Sequence, residues 1–499
     1  MTATTTALLD AEIIDPLGDT PTLAGLLQET RISRSDTEAF SLVQTGACEL
    51  LHRLLDSPTP APRRLDRTLI DRMIEALDER LSDQVDKLLH HAEVQRLESQ
   101  WRALKYLVDA VDFRENIRLE VLSATQEELA QDFDEAPELP SSGLYHHVYR
   151  QAFGVLGGKP YGVVTTTYEL GAGAEDCRLL RNLGALGAMA HVPVLSNAGP
   201  RFFGVDSLTE LNRVKDLQAH FEGPSFARWS SLRDREDARY LGLCLPRFLL
   251  RSPYGRRESE TPIKAFAYCE EVIGEHDAYL WGPASIALTA RIAASYAKYR
   301  WCPNIIGPQG GGAVLDLPLH DYELGGEIHV KSPCEVSIDD RLEYELAEQG
   351  FIGMVFRKES DNAAFFSACS VQRPRAYADT PEGQAAQTSH LLGSRLPYMF
   401  VITRLAHYLK VLQREQIGSW KGRADLEREL NQWIRQYVAD MPDPSPETRS
   451  RKPLRRARVT VAEIEGQIGW YRCGLTIEPH LKYEGAEFTL SLVGKLDKG

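Results

Sequence analysis

The 499-residue sequence is short of the features that mark most extracellular, membrane and catalytic classes. Its eight cysteines (Cys48, Cys177, Cys244, Cys269, Cys302, Cys334, Cys369 and Cys473) never fall into a C-x-x-C pair. That scatter suits no zinc ribbon and is too sparse for a disulfide scaffold, so they read as reduced, mostly buried small hydrophobes. No apolar run reaches the ~18 residues of a membrane span, which argues against membrane insertion. The opening MTATTTALLDAEIID carries acids where a secretory signal carries Lys or Arg, and a cytoplasmic protein is expected. Basic charge is scarce too: Lys+Arg 57 against Asp+Glu 71 leaves −14. Such a chain is repelled by phosphate backbones, so nucleic acid is not an expected partner.

Reactive constellations are missing as well. There is no H-E-x-x-H, no EF-hand loop and no G-x-S-x-G elbow. Neighbouring histidines occur at His90-His91 and His146-His147, but adjacent helical residues point about 100° apart and share no ligand face. Gly154-Val-Leu-Gly-Gly-Lys-Pro fails as a P-loop twice: Phe153 stands where the first glycine belongs, and Pro160 replaces the magnesium-binding Ser/Thr. Asp339-Asp340-Arg341 reads as a helix start, where acids suit the dipole. No catalytic residue, metal site or cofactor is therefore predicted. The alternative is a cytoplasmic α/β enzyme holding a phosphate-bearing ligand at the Gly310-Gly-Gly loop, although a plain turn fits that run better.

What is present is ordinary globular material, 43% hydrophobic and 26% charged, long enough for roughly two to four domains. The first sixty residues hold a short apolar stretch (Leu23, Leu26, Leu27, Ile32) and a second stripe from Leu42 to Leu55. The Pro58-Thr-Pro60-Ala-Pro62 break then makes this an arm joined to a body. Val85, Leu88, Leu89, Ala92, Leu97, Trp101, Leu104 and Val108 predict about six turns of helix with that stripe as its apolar face. The acidic run 131–138 reads as a surface loop. From residue 160 a strand (162–169), a helix with stripe Leu179, Leu183, Leu186 and Ala190, and a strand (191–196) form a βαβ unit. Trp281–Trp301 predicts a further helix.

The last hundred residues read as a separate unit of helices and strands. Tyr398, Val401, Ile402, Leu405, Tyr408, Leu409 and Leu412 make one helical face, and Leu426, Leu430, Trp433, Ile434 and Tyr437 a second. Strands are expected at 458–464, 470–477 and 487–493. In the last, Phe488, Leu490 and Leu492 alternate with polar residues and offer an edge to another chain. Arg449, Arg451, Lys452, Arg455, Arg456 and Arg458 put six bases into ten residues. They read as a solvated loop or a contact with an acidic protein surface; aromatic residues for stacking nucleic acid do not interleave them.

Six blocks in fixed order carry a resemblance: Glu98–Val108, Pro200–Leu211, Asp237–Gly255, Gly310–Pro318, Phe365–Pro374 and Ser394–Phe400. Among them are Ser99-Gln-Trp-Arg-Ala-Leu-Lys-Tyr and Pro200-Arg-Phe-Phe-Gly-Val-Asp. The chain resembles the large subunit of the contractile sheath of the bacterial type VI secretion system. The resemblance implies a structural protein and not an enzyme. Its implied fold is a multi-domain mixed α/β sheath protein: an N-terminal arm (1–62), a βαβ-containing centre (63–385), and a C-terminal domain (386–499) ending in an exchanged edge strand. Implied partners are a small sheath subunit, further copies in a helical lattice, an inner tube, a baseplate and an AAA+ ATPase that disassembles contracted sheath. The implied location is the bacterial cytoplasm, with the sheath docked on an envelope-bound baseplate. By the same resemblance Leu23, Leu26, Leu27 and Ile32 anchor the ATPase-recognition helix, and Phe488, Leu490 and Leu492 belong to the inter-subunit strand. Arg451, Lys452, Arg455 and Arg456 face the inner tube, the small subunit or solvent, a choice the sequence leaves open.

Overall fold

A computed structural model describes residues 67–464 and 471–480, apart from 256–259, 264–265, 359, 376, 419–420 and 442. The chain divides into two compact units, residues 1–79 and 80–499. Of the first, the described part is the opening of helix α1 (Arg67–Leu89). The second contains, in chain order, α2 (Ala92–Ala110), α3 (Gln126–Glu135), β1 (Val164–Leu170), α4 (Ala174–Ala190) and β2 (Val194–Ala198). Next come β3 (Leu241–Leu245), α5 (Ala284–Tyr299), β4 (Ala313–Val314), α6 (Asp340–Glu348), β5 (Phe351–Phe356) and β6 (Ala363–Phe365). The C-terminal part holds α7 (Leu396–Glu415), α8 (Arg423–Arg435), α9 (Pro446–Arg451), β7 (Leu454–Glu463) and β8 (Tyr471–Pro479).

The body is built on a six-stranded sheet in the order β1-β2-β3-β5-β6-β4. Its first three pairings are parallel and its last two antiparallel, so β6 alone runs against the other five strands. Parallel strands need long crossovers, and α4 supplies the one between β1 and β2, as the βαβ reading expects. Leu179, Leu183, Leu186 and Ala190 all bury in one face of the sheet, beside Leu243, Trp229 and Phe351. On the other face Ala284, Ala287, Leu288 and Ile292 of α5 pack on Leu195, Cys244, Ile352 and Met354. Helices on both faces explain why β2 and β3 are buried at every position. Where the β1–β2 register slips between Thr165 and Glu169, the buried Asn197 side chain fills the gap. Its Nδ2 donates to the Thr166 and Tyr168 carbonyls (3.3 Å each), and its Oδ1 accepts from the Ser285 amide at the start of α5 (2.8 Å).

Two expectations need correcting. The helix expected across residues 85–108 is two helices, broken at His90-His91, and its stripe is not the buried face. Leu88, Leu97, Trp101 and Val108 are exposed, whereas Ala103, Leu107 and Val111 bury against Ile286, Ala290 and Ala293 of α5. α2 thus carries two apolar faces, and an ionic cluster ties its Glu98 to the body. Buried Arg251 donates to Glu98 on α2 (2.9 Å) and to buried Glu270 (2.6 Å). The acidic run is loop only over 136–138: α3 occupies its first five residues, opened by a capping box between Thr125 and Glu128 and anchored by Leu129 and Phe133. The helix start at Asp339 is as expected: its carboxylate accepts from the Leu342 amide at 2.8 Å.

α7 serves two cores. Leu396 and Phe400 complete the α5 side of the sheet, and Val401, Leu405 and Leu409 join Leu430 and Ile434 of α8 with Leu454, Val459 and Val461 of β7. The seven described cysteines form no disulfide with one another, and Cys177, Cys244, Cys334 and Cys369 are buried. No helix among the described residues is long and apolar enough to cross a membrane.

Candidate functional site

The Gly310 loop lines an open groove of about 2100 Å³, walled also by Glu343, Arg395, Arg449 and His480. That volume exceeds the roughly 300–1,000 Å³ of ordinary ligand pockets. The loop is glycine-rich for steric reasons. A Cβ at Gly310 would stand 2.3 Å from the Ile306 carbonyl, and one at Gly312 would stand 2.6 Å from that of Phe365. Gly311 has φ +99°, which other residues rarely adopt. The amides that would cradle a phosphate are spent on the loop itself: Gly307 donates to Phe365, and Gly310 and Gly312 both donate to Gly307. Arg233 at the groove floor is likewise spent on Val371, Gln349 and Glu348, at 3.1, 2.7 and 2.6 Å. Burial drags its pKa down to about 10. Glu343, held above the usual carboxylate range by burial, receives the Ser367 hydroxyl at 2.5 Å. These groups hold the fold together and do not converge on a ligand.

The basic cluster is partly neutralised. Arg449 pairs with Asp443, Arg451 with Glu447 (3.2 Å), and Arg455 and Arg456 both with Glu478 (3.1 and 3.9 Å). A register shift between Leu454 and Arg456 accounts for two consecutive arginines reaching one carboxylate, because a bulge breaks the in-out alternation. All these side chains are largely solvated, so the pairs add little stability and leave Arg451, Lys452, Arg455 and Arg456 a polar, outward-facing group.

Among the described residues, the β7–β8 hairpin forms a separate two-stranded sheet. β7 places Leu454, Val459 and Val461 fully inside, against α8 and α7. The matching residues of β8 (Tyr471, Cys473, Leu475 and Ile477) are only half-buried, although Val459 lies opposite Leu475 and Val461 opposite Cys473. α8 also holds the free side of β7. Asn431 donates to the Val459 carbonyl (2.7 Å) and accepts from the Val459 amide (3.0 Å), and the Val461 amide donates to Glu427 (3.3 Å).

The model described as EvpB/VC_A0108, tail sheath N-terminal domain (VipB), matches residues 71–372. The EvpB/VC_A0108 tail sheath gpW/gp25-like domain (VipB_2) matches residues 385–496. A relative, the type VI secretion system sheath protein TssC1 of Pseudomonas aeruginosa, is 38% identical over 432 residues, 86% of each chain. The chain belongs to this sheath family.

This sheath protein is accordingly a structural subunit of a type VI contractile sheath. The cryo-EM structure of the anti-feeding prophage helical sheath in its contracted state is a distant likeness, with TM-score 0.29, 12% identity, and coverage of 64% of this chain and 66% of that one. At that level it adds nothing to the family assignment. Of the residues singled out in the sequence, Leu23, Leu26, Leu27, Ile32, Phe488, Leu490 and Leu492 lie outside the described residues, while the basic cluster lies on α9, on β7 and, for Lys452, on the link between them. Sequence reasoning missed Asn431 and Glu427. Their only signal is two polar residues four apart on α8, beside its apolar positions Leu430 and Ile434.

Proposed function

We propose that this sheath subunit pairs with a small sheath subunit, stacks with copies of itself as a helical tube around an inner tube, and contracts to expel that tube. The single observation that supports this reading is the half-built hairpin, whose apolar layer stops short on the β8 side. A strand from a neighbour is the economical way to finish it, because backbone pairing survives rotation of the bodies it connects. The chain then needs no active site: contraction runs from a metastable extended lattice to one with better interfaces. Under the same proposal the chain works in the bacterial cytoplasm, docked on an envelope-bound baseplate, with the divisions 1–62, 63–385 and 386–499. Residues 487–493 are the exchanged strand, and Arg451, Lys452, Arg455 and Arg456 are an electrostatic contact with the inner tube or the small subunit. Leu23, Leu26, Leu27 and Ile32 anchor the helix read by the AAA+ disassembly ATPase. Removing residues 1–33 should leave tubes that the ATPase no longer dismantles; continued disassembly refutes that placing.

The deciding experiment is negative-stain electron microscopy of the chain co-expressed with its small partner. Hollow ridged tubes are expected. Discrete particles under all conditions would overturn the reading.

A further inference from the structure

β1 is the first strand of the six-stranded sheet, and its outer edge is open. Val164-Thr-Thr-Thr-Tyr is β-branched or aromatic throughout, the composition of a strand. On the inner side the Val164 amide donates to the Pro193 carbonyl (3.0 Å), the Leu170 carbonyl accepts from Gly199 (2.8 Å), and Asn197 serves the Thr166 and Tyr168 carbonyls. Backbone direction alternates along a parallel strand, so Thr165, Thr167 and Glu169 point their amides and carbonyls the other way. Among the described residues nothing bonds to those outward groups.

A second strand-like segment lies across from that edge. Between α2 and α3, Ile117-Arg-Leu-Glu alternates half-buried apolar with exposed charged residues, and Ile117 and Leu119 pack beside Leu107 and Val111. Val121 and Leu122 follow, 69% and 54% exposed. Among the described residues the main chain of 117–124 makes no backbone hydrogen bond. Two tyrosines connect it to β1: Tyr161 donates to the Glu120 carboxylate, and Tyr168 donates to the Ala124 carbonyl at 2.7 Å. Paired strands lie roughly 4.8 Å apart, closer than the full length of a tyrosine needs. Side chains of that reach, with no backbone bond beneath them, leave an opening suited to one more strand.

We infer that the slot between β1 and residues 117–124 takes one extended strand of the small sheath subunit, bonded to the outward backbone of Thr165, Thr167 and Glu169 and covering Val121 and Leu122. The inference rests on the proposed pairing with that subunit and assigns the pairing a place. An open edge with unpaired amides and carbonyls recognises extended main chain. Charge narrows the occupant: exposed Glu120, Glu127, Glu128 and Glu169 border the slot against Arg118 and Lys159, so a strand flanked by basic residues fits. Symmetry narrows it further. β1 paired with β1 of a second copy would make a two-fold contact that closes on itself, whereas copies stacked in a helical tube meet head to tail.

The test uses the complex co-expressed with the small partner. Val121→p-benzoylphenylalanine, irradiated in the complex, should give an adduct whose cross-linked peptide belongs to the small subunit. An adduct to this chain, whether its own or a second copy's, overturns the occupant. Thr167→Pro removes an outward amide at a position where an edge strand tolerates proline. It should weaken binding of the small partner by about tenfold or more while the melting temperature of the lone chain holds. If that variant fails to fold, Val121→Glu with Leu122→Glu, both exposed, should weaken binding to a similar extent. Unchanged affinity overturns the slot. Co-purification without any Val121 adduct refutes the slot alone, whereas chains that never co-purify refute the pairing itself.

Discussion

The six-stranded sheet and the β7–β8 hairpin contain the same kinds of residue and differ in how much of their burial the single chain supplies. In the sheet, Phe351 is fully buried and touches Phe202, Phe203, Phe221 and Trp229 at ring-centroid distances of 5.2–5.6 Å. Helices cover both faces, and the central strands have pairing partners on both sides. The hairpin has one face on α7 and α8, one edge closed by side chains, and one edge with its apolar flank half in water. Under the function proposed above, folding falls to the sheet and assembly to the hairpin. A residue's effect on the lone chain and its effect on the lattice should therefore come apart.

The strongest way to break that comparison is Phe351→Ala. Truncating a fully enclosed aromatic costs about 3–5 kcal/mol, so the midpoint of denaturant unfolding should fall sharply before any assembly is attempted. An unchanged midpoint would show that the sheet is not the finished core described above. Leu475→Ala, on the half-buried flank, should cost the lone chain only about 1 kcal/mol but strongly reduce tubes counted by electron microscopy with the small partner. Equal losses of stability from both substitutions would erase the distinction.

A pH experiment sharpens the comparison with the smallest effect. His407 on α7 is buried against the Phe153 ring, with Nε2 2.9 Å from the Ala190 carbonyl. Burial, with nearby Arg404 and Lys410 adding to it, pushes His407 down to about 4. The neutral form is the folded form, and the unfolded chain takes up the proton at about 6.5. Stability is thus fully present above about 6.5 and declines as pH falls toward 4, where the body loosens along α7. His407→Gln should flatten the melting temperature between those values; an unchanged pH slope would remove His407 as its source.

Much of this architecture is readable in the sequence because it rests on local periodicity. The α4 stripe, the α7 face and the Asp339 cap each depend on residues within a few turns of one another. The misreadings have a common cause. α2 has two apolar faces, and the one that buries meets Ile286, Ala290 and Ala293 of α5, a partner far along the chain that local periodicity does not reveal. The acidic segment 131–138 looks like a loop until Leu129 and Phe133 are given a core to enter. The family itself was legible from the order of six blocks, not from any chemistry in them. Asn431 and Glu427 were not legible, because an edge-closing side chain has meaning only once the edge exists.

α7 has a mechanical consequence. At twenty residues it is about 30 Å long, with Leu396 and Phe400 clenched in the body and Val401, Leu405 and Leu409 clenched beside the hairpin. A load applied at the hairpin is therefore carried to the body along a stiff rod gripped at both ends, and any displacement there turns the body as one piece instead of being absorbed by a slack tether.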